Sequence, residues 1–318
     1  MTSPLRKIAT HVIRDLTFDI ADLEAPLAFG VAIDGEILLA GRLRNAKLYD
    51  ERAGARFPKS MLDEPHDWTV VRARGTGDVR RIHVRGERPS FSYVDAVGDG
   101  ILLVAARCSW QRKGAEKNAV VLSQDGTVQR RFTLGDGIQD LRVSPSNEIW
   151  VSYFDEGIFG NRGWNNPGPE PIGSAGLVCF GPSGERRVDY DAAAAGTDTI
   201  CDAYAMNVDR DGEIWICFYT EFPIVRLHEG RYTRWSYGTA GASVIAAWET
   251  RALLIGDYGA PERARVVELR HDGTTRVIEE LTVVTPEGAP IGSMRAVAIG
   301  SDVYFFDGRR VLGLSDWC

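Results

Sequence analysis

The nine residues Asp211-Gly212-Glu213-Ile214-Trp215-Ile216-Cys217-Phe218-Tyr219 decide the fold. An Asp-Gly turn opens directly into an apolar run that does not alternate, so the strand it predicts is covered on both faces. The same turn and strand recur five times: DGEILLAGR (34–42), GDGILLVAAR (98–107), SNEIWVSYF (146–154), TRALLIGDY (250–258) and SDVYFF (301–306). With Ile37, Ile101, Ile149, Ile214, Leu253 and Val303 as equivalent anchors, neighbouring copies stand 64, 48, 65, 39 and 50 residues apart. A repeat of this size marks an architecture built from one supersecondary unit used many times.

Each unit reads as four strands. An apolar strand precedes the anchor, as in Phe91 to Val97 or Ala203 to Val208, and two more follow it, joined by a tight turn such as Gln124 to Thr127 or His271 to Thr274. The last strand of a unit is mixed polar and apolar, as at Thr127 to Thr133 and Gly184 to Tyr190, which suits a solvated rim. The expectation is an all-β, six-bladed β-propeller with four antiparallel strands per blade, a single domain over residues 1–318. The sixth unit ends after its third strand, so Lys7 to Ile13 at the N-terminus is expected to supply the fourth and close the last blade.

Composition narrows the partners. Among 318 residues, 37 basic against 44 acidic side chains give a net charge of −7 with no basic cluster, which argues against nucleic acid and anionic membrane. The apolar run Ile101 to Ala106 is far too short to span a bilayer, and charges interrupt the start of the chain where a signal peptide needs an apolar stretch. A cytoplasmic protein is expected. Five cysteines without a Cys-x-x-Cys pair fit free thiols.

The loops sort by face. Turns between first and second strands, and between third and fourth, are minimal, as at Asp34-Gly35 and Glu229-Gly230. The opposite face carries the long insertions: Asn45 to His66, Cys108 to Lys117, Asp155 to Ala175 and Val284 to Ser293. Long loops on a rigid scaffold are where binding and catalysis concentrate, so function is expected there.

The repeat resembles the D-G-x-I/L-W motif of the NHL, two-component-regulator and streptogramin-lyase-like propeller repeats, with Asp211 to Ile216 the nearest copy and Asn147 to Val151 the next. That resemblance implies the fold; such families include lyases, lactonases and interaction modules, and it does not choose among them. The E-G-P-x-W signature of the gluconolactonase branch is absent from the sequence.

Candidate chemistry follows from placement. His66, in Asp63-Glu64-Pro65-His66-Asp67-Trp68, is the one histidine expected on the long-loop face, as a general base or as part of a solvated acidic loop. Asp140 and Asp202 open inner strands, with Asp95 within one; they either orient substrate or a divalent cation such as calcium or magnesium, or only set turns. Arg107 is expected to hold an anionic group. Trp68, Trp110, Tyr153, Trp164, Asp257 and Tyr258 are expected to line a ligand site, whereas Trp150, Trp215, Trp235 and Trp248 read as packing between blades. Two functions stay open: a small-molecule site, with lyase or hydrolase chemistry on a polar or aromatic ligand, or a non-catalytic scaffold presenting the same loops to a partner protein.

Overall fold

The computed structural model describes residues 5–317. It contains six blades of four antiparallel strands each, the fifth extended by one parallel N-terminal strand and the sixth completed by another N-terminal strand, and the chain folds as a six-bladed β-propeller. All six anchors are second strands: Ile37–Arg42, Gly100–Ala105, Ile149–Tyr153, Ile214–Tyr219, Arg251–Ile255 and Asp302–Phe306. The first two are buried at every position, which is what their unbroken apolar sequence predicts.

Two compact units divide the blades three and three. Residues 17–190 hold blades one to three. Blade one is Glu24–Val31, Ile37–Arg42, Met61–Ala73 and Val79–Pro89. Blade two is Phe91–Val97, Gly100–Ala105, Ala119–Leu122 and Val128–Phe132; blade three is Ile138–Val143, Ile149–Tyr153, Leu177–Phe180 and Arg186–Asp189. Leu38, Ala40 and Val70 of blade one pack with Val94, Ile101 and Val120 of blade two in a continuous apolar layer. Burying side chains of this size stabilises by roughly 1.5–3 kcal/mol each. The inner strands approach so closely that a Cβ on Gly30 would stand 1.9 Å from the Val94 carbonyl oxygen, so only glycine fits there.

Residues 5–16 and 191–317 hold blades four to six. Blade four is Asp202–Val208, Ile214–Tyr219, Ile224–His228 and Arg231–Trp235, and blade five is Val244–Trp248, Arg251–Ile255, Arg263–Leu269 and Thr275–Val284. Blade six joins Arg295–Ile299, Asp302–Phe306 and Arg310–Leu314 to the N-terminal strand His11–Asp15. Trp215 and Trp235 stack at 5.8 Å within the layer between blades four and five.

Closure by the N-terminus differs from expectation in one respect. The single strand expected over Lys7 to Ile13 is two strands divided at Thr10: Arg6–Ala9 pairs in parallel with Leu281 to Val284 of blade five, and His11–Asp15 pairs antiparallel with blade six. Thr10 fastens the step by donating its N–H to the Val284 carbonyl at 2.8 Å and its hydroxyl to the same oxygen at 3.1 Å. The insertion Asn45 to His66 is also more regular than its sequence suggests. It forms the hairpin Tyr49–Arg52 with Ala55–Pro58, and from Met61 onward it is already the third strand of blade one. Among the described residues no helix is long and apolar enough to cross a membrane.

Candidate functional site

Three insertions meet within the unit of blades one to three. The Tyr49–Arg52 and Ala55–Pro58 hairpin, the segment Arg107 to Ser109 after the second strand of blade two, and Phe154 to Arg162 of blade three enclose a cleft of about 640 Å³. That size suits a small metabolite.

Arg107 forms its floor. Its Nε and Nη2 donate to the two oxygens of Asp136 at 2.9 and 2.8 Å, its Nη1 lies 2.5 Å from Glu156 Oε2, and its guanidinium sits over the Phe154 ring. Asp136 is buried and also accepts the Cys108 N–H at 2.8 Å; burial raises its pKa, and Arg107 pulls in the other direction. The turn that delivers Asp136 needs glycine on both sides. Gly135 and Gly137 have φ of +94° and +66°, and a Cβ on Gly137 would stand 2.3 Å from the Gly157 nitrogen. Sequence reasoning missed Asp136, although the Gly-Asp-Gly joining blades two and three was a visible signal of a constrained turn.

The free charge of the cleft lies in other arginines. Arg162 donates through Nη2 to the Pro58 carbonyl, and its Nε is 4.0 Å from an Asp136 oxygen already shared with Arg107. Burial, then the neighbouring Arg107 charge, lowers its pKa. Arg56 lies over the Tyr49 ring at 4.3 Å with no carboxylate partner. Of the acidic residues, Asp50 is 3.2 Å from Lys59 Nζ and Glu156 is spent on Arg107, so Asp155 alone faces the cleft without an ion pair. The lining thus carries Arg56, Arg107 and Arg162 against Asp50, Asp155 and Glu156, with Phe57, Pro58 and Phe154 as apolar wall.

Of the residues expected at a ligand site, only Arg107 lines this cleft, and it is a paired floor rather than an open anion clamp. Trp68 is in the core, edge-on to Phe91 with Arg42 above its ring. Tyr153 is fully buried and donates to the Leu134 carbonyl at 2.5 Å; burial raises its hydroxyl pKa far above the usual value. Trp164 is buried and donates to the Cys108 carbonyl at 2.9 Å. Trp110 pairs with Ala115 in a two-residue hairpin and takes the Gly163 to Gly168 loop against it, so it anchors that loop. In the other unit, Asp257 is 2.7 Å from Arg265, whose hydrogen bond lowers its pKa, and Tyr258 is exposed with its hydroxyl 2.6 Å from that of Tyr204.

The expected catalytic trio is not gathered at the cleft. His66 sits inside the strand Met61–Ala73 opposite Glu87, 6% exposed, and its Nδ1 has no hydrogen-bond partner. The acidic segment reads as a solvated loop because three of its residues, Asp63, Glu64 and Pro65, point outward before the strand becomes wholly buried. Asp140 accepts the Leu141 N–H and lies 3.0 Å from Arg142 Nη1; burial raises its pKa and Arg142 opposes that. Asp202 opens the inner strand of blade four, opposite Tyr219, in the other unit. Arg142 supplies positive charge to both Asp140 and Asp95. Among the described residues no group of three or more His, Cys, Asp or Glu side chains is placed to hold a metal ion.

No family model matches the sequence, and no curated protein matches it either. Solved structures do resemble it in fold. Virginiamycin B lyase from Staphylococcus aureus aligns at 12% identity and a TM-score of 0.44, covering 92% of this chain and 85% of that one. The PQQ-bound aldose sugar dehydrogenase of Streptomyces coelicolor aligns at 13% identity and 0.47, covering 98% and 99%. The WD40 propeller domain of Doa1 aligns at 8% identity and 0.47, covering 97% and 98%.

Proposed function

We propose that this propeller binds a small molecule carrying an anionic group and an apolar portion in the cleft of blades one to three. The carrying observation is the pairing pattern: Arg107 is neutralised by Asp136 and Glu156, while at the same cleft Arg162 has only a long 4.0 Å contact to the shared Asp136 and Arg56 has no ion pair among the described residues. Arg107 then acts as a positioning residue that fixes the segment Phe154 to Glu156, and Arg162 meets the ligand. Lyase or hydrolase chemistry in this cleft would draw on Asp155 or Glu156 as acid or base, in place of His66, Asp140 and Asp202. Free thiols at Cys108, Cys179, Cys201 and Cys217 support a reducing, cytoplasmic setting.

A scaffold function is the second reading, favoured by exposed Phe57 and Phe159 on the same insertions. Native mass spectrometry of the full chain after exposure to the small-molecule fraction of a cell extract separates the two. A bound mass below about 1 kDa that is lost in Arg162→Gln supports the ligand site. No bound small molecule on the wild type, or one that survives Arg162→Gln, overturns it.

A further inference from the structure

A second concavity, of about 410 Å³, lies in the unit of blades four to six on the side of the tight turns. The turns following the inner strands of blades four, five and six form its walls, and Trp215 and Arg226 reach it from blade four. Its basic groups are already occupied. Arg226 lies over the Trp215 and Trp235 rings and 3.4 Å from Glu213, and Arg210 is 3.1 Å from Asp302. Asp209 spends one oxygen on the Asp211 and Glu213 N–H groups of its own turn. The carboxylates of Asp211 and Glu249 remain, both exposed and neither in an ion pair among the described residues.

Two tryptophans give this acidic hollow its chemistry. Trp248, expected from its sequence to pack between blades, is instead 51% exposed and lines the hollow beside Glu249. Trp215 is 2% exposed, and its indole Nε1 makes no hydrogen bond of normal geometry. The neighbouring Glu213 carboxylate, whose pKa burial pushes up against the pull of Arg226, is already engaged by that arginine. An exposed indole face attracts a cation, unpaired carboxylates neutralise one, and a buried N–H calls for an oxygen acceptor.

We propose that this concavity binds a small organic cation with an oxygen close to its ammonium centre, stacked on Trp248, neutralised by Asp211 and Glu249, and accepting a hydrogen bond from Trp215. It is independent of the anion cleft in blades one to three. Isothermal titration calorimetry of the full chain with choline tests it against 3,3-dimethyl-1-butanol, which has the same shape without the charge. Choline is expected to bind saturably and the uncharged analogue at least roughly tenfold more weakly. Trp248→Ala and the double variant Asp211→Asn, Glu249→Gln should each weaken choline roughly three- to thirtyfold, with Trp248→Phe between Ala and wild type. These side chains are exposed, so circular dichroism melts should match wild type. Absence of saturable choline binding, equal affinity for the uncharged analogue, or folded variants that bind like wild type would overturn the proposal.

Discussion

Arg107 and Arg162 enter the same cleft, yet their environments set opposite consequences for their loss. Removing Arg107 leaves the buried Asp136 carboxylate with only the more distant Arg162 as counter-charge, so Arg107→Ala should destabilise by about 3 kcal/mol. Arg162→Gln should stay within about 1 kcal/mol, because its ion pair is long and shared. Urea unfolding of both variants measures the difference, and equal losses would contradict the division into floor and ligand contact. Asp95 makes a separate prediction about pH. Burial pushes its carboxyl up to about 7, against the pull of Arg142 and of the Val143 and Ala96 N–H groups. Between its ordinary value of 3.8 and about 7, the native chain holds a proton that the unfolded chain has released. Stability therefore falls as pH rises through that window and levels off above it. Thermal melts at pH 5 and pH 8 should show the decline in wild type and a smaller one in Asp95→Asn; an unchanged slope would remove Asp95 as its source. Neither the pairing of Asp136 with Arg107 nor the exposure of Trp248 was legible in the sequence. Both depend on which neighbouring blade a side chain meets, and local periodicity carries no such information.

Strands were far more legible than their partners. Every anchor lies in a second strand because its unbroken apolar run has one physical solution, a strand covered on both sides. His66 was misplaced for the converse reason: it follows Asp63, Glu64 and Pro65 within its strand, and its pairing with the outer strand shifts register twice between Met61 and Trp68. The N-terminal clasp was visible from a missing fourth strand, but its division at Thr10 was not, since blade five already had four strands of its own. That division predicts a dual effect. Deleting residues 1–15 removes four register partners from blade five and four from blade six, a loss of several kcal/mol at roughly 1 kcal/mol per backbone hydrogen bond. Hydrogen exchange should then accelerate in both Thr275–Val284 and Arg310–Leu314; acceleration in the second alone would mean that Arg6–Ala9 contributes nothing.

At the scale of the whole molecule, the open question is whether three blades and three blades unfold together. Buried thiols report on each set. Cys108 and Cys179 belong to blades two and three, Cys217 to blade four, and burial raises the pKa of all three, to about 12 for Cys179 and Cys217. With Cys201 and Cys318 replaced by serine, we expect the three to gain reactivity toward a thiol reagent at one urea concentration, as a single domain requires. Two separated transitions would make each unit a domain of its own. The sequence could divide 318 residues into six blades, yet it held no sign of this second level of grouping, which arises from contacts between blades. The N-terminal clasp has a consequence in time as well as in space. These two strands leave the ribosome well before the blades that they complete, so an unpaired sheet edge persists during synthesis. On a crowded polysome the matching segment of a neighbouring nascent chain can fill that edge, which makes a strand-swapped dimer the natural misassembly product of this protein.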